Sequence, residues 1–194
     1  YGYSVPTFGK GVVYDVDQKV RTEQFRFFTE ALKKDRLKKY VPLFVMEAEM
    51  FFKKFGETGI CDFMQIFSEL ITLTAARTLL GREVREQMFE RVSHLLHLLD
   101  EGMVPISTIA PYLPIAVHRT RDKAREELRQ IFQKVVTNRR ETGNREEDVL
   151  QQFIDAKYQN VYGGRATTDE EICGMLIAVI FAGQHTSSIT TSWT

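Results

Sequence analysis

A cluster of small and polar residues near the end of the chain could carry chemistry. Residues 183–188 read Gly-Gln-His-Thr-Ser-Ser and directly follow an apolar run. On a helix, Ala182, His185 and Thr186 share one face, and a flat apolar molecule could lie against Ala182 and Gly183 with a hydroxyl and an imidazole beside it. The Thr186 hydroxyl can bond back to the carbonyl of Ala182, or release it and open a groove in the helix.

The element that must position this cluster is a helix over residues 168–193. It opens with a capping box, in which Thr168 and Glu171 satisfy each other's backbone N–H groups. The apolar residues after it recur at helical spacing on one face and continue on the other, which predicts a helix buried on all sides. The apolar positions are Ile172, Met175, Leu176, Ile177, Ala178, Val179 and Ile180. A polar interruption inside such a helix indicates function.

Residues 181–187, Phe-Ala-Gly-Gln-His-Thr-Ser, resemble the oxygen-activation motif in the central helix of cytochromes P-450, the haem-thiolate monooxygenases. His185 after Gln184 is the form found in the sterol 14α-demethylases, whereas most of the superfamily has an acid before the Thr. The resemblance implies that Thr186 orders a water and that His185 replaces the acid in proton delivery, since an imidazole titrates near neutral pH. It also implies that Ala182 and Gly183 make room for haem and sterol.

The first fourteen residues, YGYSVPTFGKGVVY, contain four glycine and proline residues, which predict a loop with aromatic side chains. Residues 6–15 resemble the loop before helix C in sterol 14α-demethylases. The resemblance implies haem contacts at Tyr1 and Tyr14 and a propionate partner at Arg21, whose guanidinium suits a carboxylate. It implies that the sterol pocket is lined by Tyr3 and Phe8.

Residues 102–117 contain three prolines and are apolar for an irregular segment. Exposed apolar segments of this kind tend to be binding surfaces. In the family this region joins two helices over the substrate channel. The positions that match pocket-lining residues, together with those on the central helix, are Met103, Pro105, Thr108, Ile109, Phe181 and Ala182.

The remaining pattern predicts helices over residues 17–32, 40–55, 63–80, 84–100, 118–140 and 149–157, with an Asp62 cap and a stop at Gly81.

The predicted fold class is all-α, corresponding to helices C to I of the cytochrome P-450 fold. We interpret residues 1–194 as a single partial domain and an internal fragment. The haem-ligating Cys of the superfamily follows the central helix, so it lies outside this chain, and the fragment alone is predicted to be inactive. Cys61 is predicted to be a small buried or half-buried residue and Cys173 to lie in a buried helix.

Composition narrows the classes of partner. Lys plus Arg and Asp plus Glu balance at 26 each, which gives no argument for nucleic acid binding. No uninterrupted apolar run reaches the ~18 residues of a membrane span. His94 and His97 are three residues apart but have no acidic or Cys partner, so no metal site is predicted there. The basic residues 33–39 are interpreted either as a solvated connection or as a docking patch for an acidic electron-transfer partner.

The likeness extends to the plant-type branch, the obtusifoliol 14α-demethylases, over the whole chain. It implies oxidative removal of the 14α-methyl group of a sterol, with haem b, O2 and an NADPH-dependent flavoprotein reductase. It also implies azole inhibitors and the cytosolic face of the endoplasmic reticulum membrane, through an N-terminal anchor that this chain lacks. Tyr3 stands where that branch has Phe and where animal and fungal members have Leu.

Two alternatives are also compatible with the sequence. The first is a haem-thiolate monooxygenase that acts on another substrate. The second is a non-enzymatic helical module that binds a partner. Helical periodicity alone permits the module, but it does not explain the polar interruption at residues 183–188 or the aromatic N-terminal segment.

Overall fold

The computed structural model describes residues 2–193, with the backbone alone at residue 185. The described residues form helices and no β-strand, with one isolated antiparallel bridge between Lys157 and Ala166, so the predicted all-α class is confirmed. The α-helices are α1 Val5–Phe8, α2 Gln18–Ala31, α3 Lys34–Phe52, α4 Phe63–Ala75, α5 Phe89–Glu101, α6 Ala116–Thr142, α7 Val149–Asp155 and α8 Asp169–Trp193. Short 3-10 segments are Gly2–Ser4, Pro105–Thr108 and Tyr162–Gly164, and π-helical segments are Ala76–Leu80 and Val84–Met88.

Short-range polar contacts fix several helix ends. The Asp17 carboxylate accepts from the Val20 backbone N–H at 3.0 Å, and Asp62 accepts from that of Gln65 at 3.2 Å. These bonds satisfy N–H groups that the first helical turn leaves without partners. The helical run that begins with α4 ends at Gly81, whose φ of 96° is in the left-handed region that favours glycine. The predicted cap at Asp62 and the predicted stop at Gly81 are both confirmed.

Helix α8 is the central element, and it packs against α1, α4, α6 and α7. Its capping box is confirmed, because Thr168 N–H donates to Glu171 at 2.7 Å and Glu171 N–H donates to the Thr168 hydroxyl at 3.2 Å. Residues 172–177 are all buried, as the sequence predicts. By length and composition α8 also qualifies as a membrane-spanning helix, a test that core helices of globular proteins pass as well.

One predicted helix boundary and one predicted loop are wrong. Helix α3 begins at Lys34 and not near residue 40, so most of the basic run 33–39 forms the first turns of a helix. Lys, Arg and Leu are good helix formers, which explains the earlier start. The N-terminal segment, predicted to be a loop, contains the 3-10 segment Gly2–Ser4 and the helix α1. Pro6 is compatible with α1 because the first helical turn does not use its N–H.

The core is shared by helices that are far apart in the sequence. Its largest cluster includes Phe27 of α2, Leu99 of α5, Leu128 of α6, Phe153 of α7 and Leu176 of α8, each no more than 3% exposed. The helices that contact α8, which are α1, α4, α6 and α7, bury residues 171–177 in its first half. They leave the second half open on one face.

Candidate active site

The open face of α8 carries the small residues that the sequence singled out. Ala182, Gly183 and Thr186 are exposed, whereas Ile180 and Ser188 on the other side are buried. A methyl group added at Gly183 would have no atom within 4 Å. The helix therefore presents a smooth surface against which a flat apolar group can lie.

The hydroxyls of this stretch bond within the helix. Thr186 Oγ1 donates to the Ala182 carbonyl at 2.6 Å and lies 3.3 Å from the Gly183 carbonyl. Ser188 Oγ donates to the Gln184 carbonyl at 2.7 Å. Back-bonding of this kind satisfies the hydroxyl proton without interrupting the helix. The lone pairs of Thr186 Oγ1 remain available as acceptors on the open side, while the side chain of His185 lies outside the described part of the chain.

An aromatic row meets α8 beside this face. The Phe8 and Phe181 rings have centroids 6.1 Å apart at an angle of 83°, an edge-to-face contact. The Tyr14 ring lies 6.2 Å from Phe8 at 55°. Three residues predicted from sequence to face haem or sterol are thus brought together by the fold. Ala182 follows Phe181 about 100° further round the helix, so the row borders the small-residue surface at its Ala182 edge.

Arg125 of α6 fixes the position of Phe8. Its Nη2 group donates to the Phe8 carbonyl at 3.2 Å and to Glu170 at 2.6 Å, and its Nη1 group donates to Cys173 Sγ at 3.3 Å. Gly9 follows with a φ of 98°, and a Cβ there would come within 2.3 Å of the guanidinium. The end of α1 is therefore held against the start of α8 by the buried Arg125 guanidinium, which binds both Phe8 and Glu170, and by the close approach that Gly9 allows.

Helix α2 holds the turn that precedes Tyr14. Arg21 donates from Nε to the Val13 carbonyl at 2.7 Å and from Nη2 to the Val16 carbonyl at 3.2 Å. The Val13 N–H donates to Gln24 Oε1 at 2.6 Å. In this geometry two N–H groups of Arg21 donate to backbone carbonyls. Its predicted pairing with a haem propionate stays a prediction.

The remaining predicted pocket residues form a second group. The segment Gly2–Ser4, with Tyr3, lies against the segment Pro105–Thr108. Tyr3, Met103, Pro105 and Thr108 are all exposed, and Ile109 is 84% exposed. The short stretch from Gly2 to Phe8 joins this second group to the aromatic row. Tyr1, the other predicted haem contact, lies outside the described residues.

Comparison with known proteins decides the family. The family model for cytochrome P450 matches residues 1–194. The chain belongs to the cytochrome P450 family. Membership sets aside the alternative of a non-enzymatic helical module, and it implies haem as the cofactor.

Relatives of this P450 chain carry the names of sterol demethylases. It is 58% identical over 194 residues to the obtusifoliol 14-alpha demethylase of Triticum aestivum, covering 100% of this chain and 42% of that protein. The sterol 14-demethylase of Arabidopsis thaliana is 57% identical, with coverage of 100% and 39%. The lanosterol 14-alpha demethylase of Mus musculus is 41% identical over 191 residues, with coverage of 98% and 37%. The chain spans about two fifths of the length of these relatives.

A solved structure supports the fold independently. A retinoic acid-bound cyanobacterial CYP120A1 aligns with a TM-score of 0.77 at 16% sequence identity, covering 96% of this chain and 41% of that one. At this identity the likeness concerns the fold alone. It agrees with the predicted placement of these helices in a cytochrome P450 domain.

The two cysteines of this P450 chain differ in their surroundings. Burial raises the pKa of the Cys173 thiol to about 12, and its sulfur accepts from Arg125, so it stays a neutral thiol within the core. Cys61 is exposed, in the stretch before α4, which corrects its prediction as a buried or half-buried residue. Ile60 and Phe63 beside it are themselves 106% and 61% exposed, so no packed core among the described residues is available to bury the Cys61 side chain. By contrast, the open small-residue surface of α8 fits the flat face of a haem.

Sequence reasoning missed three buried polar residues. Gln24 and Tyr158 belong to one hydrogen-bonded chain, and His118 belongs to another. His118 bonds Ser107 Oγ through Nε2 at 2.8 Å and the Leu113 carbonyl through Nδ1 at 2.9 Å, so it holds both sides of the loop that carries Thr108 and Ile109. The only signal for Gln24 was a polar residue on the buried stripe of α2.

Proposed function

We propose that this P450 chain is the substrate-facing part of a sterol 14α-demethylase that takes a sterol resembling obtusifoliol. One observation carries the proposal: the aromatic row of Tyr14, Phe8 and Phe181 borders, at Ala182, the open small-residue surface of α8. This geometry offers a flat apolar surface beside an aromatic wall, which suits a porphyrin next to a steroid. The names of the relatives with 57–58% identity support the same choice.

Haem b would lie against Ala182 and Gly183, with Tyr14 and Arg21 on the side of the turn that follows α1. Tyr1 belongs to the same proposed set. The axial thiolate would come from a Cys outside these residues, since Cys173 is a buried neutral thiol. When bound, the haem supplies oxygen activation with electrons from an NADPH-dependent flavoprotein reductase.

Thr186 is proposed as the residue that holds a water beside the reacting methyl group. Its hydroxyl proton is committed to the Ala182 carbonyl at 2.6 Å, so Oγ1 faces the open side as an acceptor. It can accept from a water there, or release the carbonyl and donate. His185, the preceding residue, would bring protons to this water, because an imidazole gains and loses a proton near neutral pH.

The sterol would occupy the space between α8 and the second group of residues. An extended steroid needs an apolar lining with few polar groups, and the exposed apolar side chains near Tyr3 match this need. Tyr3 would limit bulk at C4 of the sterol, as an aromatic ring fills more space than a Leu side chain. The proposed sterol-binding residues are Tyr3, Phe8, Met103, Pro105, Thr108, Ile109, Phe181 and Ala182.

The whole protein is proposed to work at the cytosolic face of the endoplasmic reticulum, anchored by a segment outside this chain, and to bind azole inhibitors.

The basic run 33–39 is a weaker candidate for the reductase surface than its composition suggests. Lys33 pairs with Glu30 at 2.6 Å, and Lys39 pairs with Glu147 at 2.5 Å. These acids reduce the positive charge available to steer a partner.

The test uses the full-length, haem-loaded protein. Obtusifoliol should produce the spectral change of substrate binding near the haem more strongly than lanosterol. Thr186→Ala should lower product formed per O2 consumed by roughly tenfold and change sterol affinity less than twofold, whereas Thr186→Ser should restore the coupling. Loss of sterol affinity with unchanged coupling would refute the role of Thr186. A spectral response to other lipids and none to sterols would favour a monooxygenase with another substrate.

A further inference from the structure

Gln24 is fully buried and uses its whole amide group. Its Oε1 accepts from the Val13 N–H at 2.6 Å. Its Nε2 donates to the Gly11 carbonyl at 2.8 Å and to the Tyr158 hydroxyl at 3.0 Å. These partners fix the orientation of the amide, since a flipped group would face an N–H with an NH2 and a carbonyl with an oxygen. The Gln24 amide can therefore bind the backbone of this turn in one orientation only.

The turn that Gln24 holds is strained. Val13 has a φ of 37°, a left-handed conformation that a β-branched residue rarely adopts. Both of its backbone polar groups are bonded to side chains of α2: the N–H to Gln24, and the carbonyl to Arg21 at 2.7 Å. Arg21 and Gln24 are three residues apart, so they project from the same face of α2. Without these bonds the chain would be free to relax out of this conformation, and Tyr14 would move with it.

The network continues to the central helix. Tyr158 is 1% exposed and donates its hydroxyl proton to Glu171 Oε1 at 2.9 Å. Glu171 is the acid of the α8 capping box and also binds Arg165 at 2.8 Å. Hydrogen bonding from Arg165 and Thr168 outweighs burial and lowers the pKa of Glu171, so it remains an acceptor for Tyr158 at neutral pH. A continuous chain of bonds thus runs from the turn at residues 11–13, through α2, to the first turn of α8.

We propose that Gln24 is a positioning residue for the Tyr14 end of the aromatic row. In the same proposal, Tyr158 and Glu171 fix the position of Gln24 relative to α8. The role rests on the proposed function, because Tyr14 is a haem-facing group only in that assignment. Two elements build the candidate site, the turn before α2 and the open face of α8. The buried chain through Gln24 and Tyr158 spans both of them.

The experiment compares three variants of the full-length, haem-loaded protein. Gln24→Leu keeps similar volume and removes all three bonds. Gln24→Glu keeps the acceptor for Val13 N–H and removes both donors. Tyr158→Phe removes only the hydroxyl and preserves the ring. Amide hydrogen exchange in the peptide covering residues 10–16 should accelerate at least ~10-fold in Gln24→Leu and less in Gln24→Glu and Tyr158→Phe, with exchange in the middle of α6 unchanged.

Sterol titrations of the same variants supply the functional readout. Gln24→Leu should weaken sterol binding about tenfold, with Gln24→Glu and Tyr158→Phe in between. A double-mutant cycle with Tyr14→Ala should be strongly non-additive, because Gln24 acts through Tyr14. Additive effects, or exchange that accelerates equally throughout the protein, would overturn the proposal and leave only a structural role. If Gln24→Leu does not fold, Tyr158→Phe and Gln24→Glu decide the matter.

The two proposals fail in different ways. If the unaltered protein shows no sterol response, the proposed function is refuted. The exchange measurements still test whether Gln24 and Tyr158 hold the turn, because they need no sterol. If sterol binds normally and the local exchange does not change in any variant, the positioning role is refuted and the proposed function stands.

Discussion

The carbonyl oxygen of Phe8 packs directly on Gly174 of α8: a Cβ at residue 174 would come within 2.2 Å of that oxygen and 2.6 Å of Val12 Cγ2. No real structure accommodates such distances without a shift. The contact places the backbone of α1 against the backbone of the central helix, and it explains how the Phe8 ring reaches Phe181. A glycine in a helix interior normally lowers stability, so here the close approach is the compensating gain.

Gly174→Ala should destabilise the fold by about 2–3 kcal/mol, since backbone and not a flexible side chain must move. Chemical denaturation followed by circular dichroism measures this. Gly183→Ala is the matched control, because a Cβ there meets no atom within 4 Å and improves helix propensity by roughly 1 kcal/mol. Equal effects of the two substitutions would show that the contact between α1 and α8 is not as described.

Tyr3→Leu should shift sterol preference of the full-length enzyme toward 4,4-dimethyl substrates. A smaller side chain creates space for an additional methyl group, and one methyl group discriminates by about tenfold. The ratio of kcat/KM for lanosterol and obtusifoliol is the measurement. Tyr3→Phe keeps the ring and should leave the ratio unchanged. An unchanged ratio in Tyr3→Leu would remove Tyr3 from the determinants of specificity.

Glu23 should make the fold sensitive to acid. Hydrogen bonding from Arg26, reinforced by Asn160 and by the Gln159 N–H, lowers the pKa of Glu23 from 4.5 to about 2. A carboxyl whose pKa is lower in the folded state stabilises the fold above its unfolded pKa, and the effect is lost as the pH falls toward 2. This contribution ties α2 to the chain after α7.

Glu23→Gln should therefore cost roughly 1–2 kcal/mol at pH 7 and almost nothing near pH 2, after allowance for solvent screening. Urea denaturation between pH 2 and pH 7 gives both values. Glu30→Gln is the control, because Glu30 pairs with Lys33 at the surface, where ion pairs contribute little. A cost for Glu23→Gln that does not depend on pH would contradict the lowered pKa.

The two thiols should differ sharply in reactivity. Cys61 is exposed, whereas Cys173 is buried with a pKa raised to about 12. Because the thiolate is the reacting form, a thiol reagent at neutral pH should modify one Cys in the folded chain and both in denaturant. Mass spectrometry of the peptides identifies which one. Rapid modification of Cys173 in the folded state would show that the start of α8 is open to solvent.

Local patterns determined much of this protein. The helical period, the capping box of Thr168 and Glu171, the Asp62 cap and the Gly81 stop all depend on residues within a few positions of one another, so the sequence alone predicts them. The motif at residues 181–187 likewise indicated the P450 family, because those residues are consecutive.

Tertiary structure decided what the distant residues do. Gln24 and Tyr158 are polar residues whose partners lie on other elements, and no local pattern states which N–H or carbonyl they will meet. The same holds for Phe8 and Phe181, which touch only because α1 packs on a glycine of α8. A buried polar group is stable only when its partners are in place. The path of the chain, and not residue type, therefore decided that Arg21, Gln24 and His118 hydrogen-bond to the backbone of the loops around the candidate site.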